Sequence, residues 1–253
     1  MPYALESFFF LLARLSGLFI TAPIFSSRMM PGRVKALIII MLAATLAYFV
    51  PVEYTRNINT PGLFIAALAV ETFIGYTIGF VIYAVLATIQ LAGQLMDMLM
   101  GFSIVNVVDP QSGTQIPLMG NFTQALALLS FLAIDGHHYL LQAVAQSYAI
   151  VPVMGAHLPG GFLELLVEVG AYIFVVAVKI AAPMLVAILT SDVAMGFIAR
   201  TVPQMNVFLV GLPLKIFLGL ITLLFLLPVY LWVYNILFAE FFGYLDRIIH
   251  IMG

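Results

Sequence analysis

Between Gly211 and Ala239 the chain carries one charge, Lys215, in twenty-nine residues, and from Ile216 to Ala239 it carries none. At about 1.5 Å of rise per residue, that uncharged run makes a helix of roughly 36 Å, longer than the ~30 Å hydrocarbon core of a bilayer. A second stretch, Thr72 to Met96, runs twenty-five residues without a charge. Runs of this length place the chain in a membrane and direct the search for function to processes in or across one. Composition agrees: charged residues are 8% of the chain, against about 25% in soluble domains. Nine basic and eleven acidic residues give no basic face for a nucleic acid. The absence of cysteine excludes disulfides, thiolate metal sites and cysteine nucleophiles. Glu6 and Arg14 interrupt the first apolar run, so the N-terminus does not read as a cleaved signal peptide.

The apolar segments run roughly 4–25, 34–52, 62–96, 122–150, 162–190 and 205–240. They predict an all-α integral membrane protein with about five to seven hydrophobic helices, since backbone groups in lipid must be satisfied within their own segment. Thr60 before Pro61 reads as an N-cap followed by proline at the first helical position. Pro183, Pro213 and Pro228 fall inside apolar runs, where each should kink or break its helix. Gly75 and Gly79 form a small-xxx-small pair, read either as a close packing seam or as chance.

The intramembrane charges carry two readings. Glu71, Glu164, Glu168 and Lys179 either snorkel to an interface or face a polar lumen or a partner subunit. Glu168 and Lys179, eleven residues apart, would share one helix face. Arg28, Arg33 and Lys35 in one short connection place that connection in the cytoplasm. Connections nearer the middle, with Asp97, Asp109 and Asp135, suit the opposite side or a polar interior.

The segment Gly101–Asn121 is apolar to Val108, turns at Asp109-Pro110 and Ser112-Gly113, and carries no charge between Asp109 and Asp135. Irregular backbone at membrane depth requires protein or a water-filled cavity around it. This loop therefore lines or fills a cavity, or else is a re-entrant or interfacial loop without a gating role.

Signals for catalysis are weak. His137 and His138 are adjacent and should point to different sides of a helix, and neither cysteine nor HExxH spacing is present, so no metal site and no cofactor are expected. There is no G-x-S-x-G context and no P-loop. The chain reads as a non-enzyme.

Several motifs in order carry a family likeness: Thr21-Ala22-Pro23-Ile24-Phe25-Ser26 with Pro31-x-Arg33-Val34-Lys35; Gly101-Phe102-Ser103 with Val108-Asp109-Pro110; Asp135-Gly136-His137; Ala182-Pro183; Asp192 with Gly196; Arg200-x-x-Pro203-Gln204-x-Asn206-Val207-Phe208; and Gly211-Leu212-Pro213-Leu214-Lys215. Spread over about two hundred residues, they resemble the FliR family of flagellar type III export-gate proteins, which is similar to the SctT-type protein of injectisomes. Asp135 stands where family members can carry a neutral residue.

The resemblance implies a structural, pore-forming component of the export gate in the bacterial inner membrane, at the flagellar basal body. Its expected partners are FliP-like and FliQ-like membrane proteins in a helical hetero-oligomer, a FlhB-like neighbour, and exported flagellar proteins as substrates. Residues 1–182 would form a FliP-like part that includes the loop 101–121, and residues 183–253 a FliQ-like helical hairpin. That loop would act as a pore plug. Phe102, Ile104, Val105, Val107 and Val108 would pack, Asn106 would lie among them, and Asp109-Pro110 would set the turn. Glu164, Glu168, Asp192 and Lys215 are the candidates for subunit contacts. Two alternatives remain: the injectisome homologue of the same gate, and a secondary transporter subunit using Glu71, Asp97 or Asp192 at broken helices.

Overall fold

The computed structural model describes residues 2–26, 30–53, 60–102, 117–157, 160–204 and 206–253. Among them the chain forms eight helices: α1 (Pro2–Thr21), α2 (Pro23–Ser26), α3 (Gly32–Phe49), α4 (Pro61–Met100), α5 (Leu118–Ala133), α6 (Gly136–Ile150), α7 (Gly160–Thr201) and α8 (Val207–Met252). Four of them, α3, α4, α7 and α8, are long and apolar enough to cross a membrane. The segment expected at 122–150 is two helices rather than one. Asp135 adopts the left-handed conformation, with φ of 56°, and no helix continues through such a residue.

Helices α4, α7 and α8, of 40, 42 and 46 residues, extend well past the hydrophobic runs. The reason lies in periodicity. Beyond Ala239, Phe241, Leu245, Ile248, Ile249 and Met252 are buried while Glu240, Asp246, Arg247 and His250 are exposed. That is a helical stripe a hydropathy window cannot register. None of the three prolines breaks its helix: α7 runs through Pro183, and α8 through Pro213 and Pro228. In apolar surroundings a break would orphan several backbone groups, whereas continuing forfeits about one bond per proline. Thr60 does cap α4, with the Leu63 amide donating to its hydroxyl at 3.4 Å.

The chain divides into two compact units. The first comprises residues 1–85, 131–170 and 237–253. Its core includes Phe10, Leu15 and Leu18 of α1, Ile74 and Ile78 of α4, Leu140, Val144 and Tyr148 of α6, and Phe238, Phe241 and Leu245 of α8. The Phe131 and Phe238 rings lie 5.1 Å apart within it. The glycines of α4 form a true seam here. A side chain at Gly75 would collide with the Arg14 carbonyl, one at Gly79 with Thr21, and one at Gly17 with the Thr72 carbonyl. Helices α1 and α4 thus touch backbone to backbone. Helix α3 packs on α1 but buries only Ala43. The second unit comprises residues 86–130 and 171–236. Its core includes Ile89, Met96, Met100, Met119, Val176, Ile180, Met184, Ile188, Tyr230 and Tyr234.

Candidate functional site

In the second unit, Asp97 holds both ends of the central loop. Helix α4 finishes in a Schellman turn: the Gly101 amide donates to the Met98 carbonyl (3.2 Å) and the Phe102 amide to the Asp97 carbonyl (3.1 Å), with Gly101 at φ 84°. The Asp97 side chain, buried, then receives the Met119 amide on Oδ1 at 2.9 Å and the Gly120 amide on Oδ2 at 3.1 Å. One residue therefore closes the end of α4 and supplies, from a neighbouring helix, the acceptors that the start of α5 lacks. The chain leaves at Phe102 and returns at Leu118 within reach of the same aspartate. Close approach allows it: a side chain at Gly93 would strike Thr123, Gly120 and Met119.

Asp97 thus lies inside α4 rather than in a connection, and its charge belongs to the helix terminus it caps. A carboxylate in the last turn of a helix opposes that helix's dipole and needs an outside donor. The sequence, which placed Asp97 in a connection, did not show that mismatch, because the helix end at Met100 lies past the apolar run. Of the residues expected to form a plug, Phe102 is half-buried. Ile104, Val105, Asn106, Val107, Val108, Asp109 and Pro110 lie outside the described residues, as does Arg28.

Two of the four subunit-contact candidates meet each other. Lys215 Nζ on α8 lies 2.6 Å from Asp192 Oδ1 on α7, and both side chains stay part-exposed. Asn206 caps the start of α8, accepting the Leu209 amide at 3.3 Å, which gives the Pro203-Gln204-x-Asn206 motif a local role. Also in this unit, the Ser130 hydroxyl donates to Asn235 Oδ1 at 2.9 Å, linking α5 to α8. In the first unit Glu164 and Glu168 are exposed on α7, and the Tyr244 hydroxyl lies 3.5 Å from Glu168.

Glu71 is neither interfacial nor turned to a lumen. It is fully buried in the first unit against Arg14, which the sequence marked only as an interruption of the first apolar run. Arg14 Nε donates to Glu71 Oε2 at 2.7 Å, Nη1 to the Ser147 hydroxyl at 2.6 Å and Nη2 to the Val151 carbonyl at 3.0 Å. Its guanidinium carbon sits 3.6 Å from the centre of the Tyr148 ring. Groups from α1, α4 and α6 and its C-terminal end thereby pair two charges that would be costly alone in an apolar interior. A single arginine in one apolar helix and a single glutamate deep in another was the available signal.

His137 and His138 do not diverge as their adjacency suggested. Their ring centroids are 4.2 Å apart, because in the first turn of a helix side chains lean toward the N-terminus. Asp135 joins them, its Oδ1 3.4 Å from His138 Nδ1.

These features belong to a chain with relatives of known family. Residues 5–241 match the family described as bacterial export proteins, family 1. The chain belongs to this family. It is 34% identical over 221 residues to the flagellar biosynthetic protein FliR of Bacillus subtilis (strain 168), covering 86% of this chain and 85% of that one. It is 31% identical over 246 residues to the FliR protein of Escherichia coli (strain K12), covering 97% and 93%. The FliR protein of Pectobacterium carotovorum subsp. carotovorum is 30% identical over 244 residues, covering 96% and 93%. The matched range, residues 5–241, takes in parts of both units and the positions of Arg14, Glu71, Asp97, Asp192 and Lys215.

Proposed function

We propose that this chain is a structural, pore-forming component of the flagellar type III export gate in the bacterial inner membrane, assembled with FliP-like and FliQ-like proteins beside a FlhB-like neighbour. The observation that carries the reading is likeness to FliR proteins over 86–97% of the chain. The outer surface of the helices supports it. On α7 the large apolar residues Phe174, Val186 and Ile198 of the second unit are exposed. Twenty-four residues separate the first from the last, about 36 Å at helical rise, against a hydrocarbon core of ~30 Å. An exposed apolar face of that length suits cover by lipid tails together with other protein chains.

On this reading unfolded flagellar proteins pass through the assembly, and the loop held by Asp97 plugs it against ions and water. The division into a FliP-like part, 1–182, and a FliQ-like hairpin, 183–253, is one of likeness. It is distinct from the two compact units, each of which draws on both parts. Lys215, Asp192, Glu164 and Glu168 supply polar contacts to neighbouring subunits from their exposed faces. The test is co-purification. A tagged chain expressed with its native operon should yield one large detergent-extracted complex with several FliP-like and FliQ-like chains and a single copy of this one. A stable monomer or homodimer without such partners would overturn the reading.

A further inference from the structure

We propose that Asp135, His137 and His138 form a binding site for a divalent transition-metal cation of the zinc class. The site rests on its own geometry in the first unit and goes beyond the export reading. Each of the three residues offers one ligand atom, and these atoms all lie within 4.8 Å of one another. A tetrahedral cation with bonds of about 2.0–2.2 Å holds its ligand atoms about 3.3–3.6 Å apart. The Asp135 Oδ1 to His138 Nδ1 separation is already 3.4 Å, so only His137 needs to close in, by about 1 Å on the tetrahedral geometry.

A second observation points to the same place. His137 Nδ1 is buried and has no hydrogen-bond partner among the described residues, although buried ring nitrogens are ordinarily satisfied. A bound cation, or the reorientation that brings the ring to one, resolves that deficit. The left-handed turn at Asp135 brings its carboxylate into the first turn of α6, where the two imidazoles lean. One carboxylate and two imidazoles are a donor set for zinc, nickel or copper rather than for magnesium or calcium. The positive end of the α6 dipole opposes a cation here, and the Asp135 charge offsets it. The fourth coordination position is left open. A loaded ion would tie the α5–α6 break to the first turn of α6.

The test is titration of the intact detergent-purified chain, prepared without a histidine tag and stripped by chelator, with zinc chloride and with magnesium chloride against a chromophoric chelator. The expected result is one equivalent of zinc per chain and no magnesium bound at the same concentration. His138→Ala should weaken zinc at least about tenfold, since even outer-shell losses reach that size. Asp135→Gly should do the same while relieving the positive φ, so a damaged fold cannot account for its effect. His250→Ala, at an exposed histidine elsewhere, should leave binding unchanged. No zinc bound by the parent chain would overturn the assignment. So would binding that His138→Ala and Asp135→Gly leave intact, which would place the ion elsewhere.

Discussion

Removing Arg14 should do more damage than removing Arg14 and Glu71 together. In Arg14→Met the buried Glu71 loses the donor to its Oε2, and its other oxygen, Oε1, already lacks a partner among the described residues. The Val151 carbonyl loses the Nη2 donor as well. Breaking a buried ion pair from one side costs about 3–5 kcal/mol. For a chain of this size that is a fall in melting temperature of roughly 6–20 °C, at about 2–4 °C per kcal/mol. Arg14→Met combined with Glu71→Met removes both charges and fills the space with apolar side chains. Ser147 keeps its bond to the Val144 carbonyl at 2.7 Å, so the main residual cost is the Val151 carbonyl, about 1–3 kcal/mol. The double variant should therefore melt above Arg14→Met. The assay is thermal unfolding of the purified protein in one detergent, with both single variants and the double completing a mutant cycle. If Arg14→Met melts within about 2–4 °C of the parent, the size of roughly 1 kcal/mol, or if the double melts no higher than Arg14→Met, the buried pair is not the clasp described.

Gly75→Ala should lower the melting temperature by at least the equivalent of about 1–3 kcal/mol, because the added methyl meets the Arg14 backbone, which has no flexible end to yield. Gly62→Ala on the same helix meets nothing within 4 Å and should be tolerated, and equal effects of the two would count against the seam. Asp97→Ala strips two amides of their acceptor, worth about 1–2 kcal/mol. In the assembled complex it should raise ion leak, as should replacing Ile104 to Val108 with glycine and serine; unchanged leak from both would remove the plug. Lys215→Met leaves Asp192 without its partner and should impair assembly or gating, with partial recovery on adding Asp192→Asn. Normal secretion by the Lys215→Met chain would refute that.

The sequence by itself determined the medium and the class of secondary structure. Long uncharged runs require a bilayer and, within it, helices, because an apolar surrounding leaves backbone groups no other partner. The Thr60-Pro61 start of α4 was legible for local reasons, the Gly75/Gly79 pair was legible only as one of two readings that the structure decided, and the ordered motifs carried the family likeness. The partners of individual charges were not legible. Arg14 and Glu71 are 57 positions apart and Asp97 and Met119 are 22 apart. Nothing in a local pattern says which distant group will neutralise a buried charge. Helix ends past the hydropathy limit, such as Phe241 to Met252, are helical because their buried faces find a core. Hydropathy averages away that one-sided pattern, and only tertiary packing reveals what it covers. His137 and His138 follow the same logic: adjacency sets their Cα atoms about 3.8 Å apart, but the turn at Asp135 and the lean of the first helical turn decided that their rings meet.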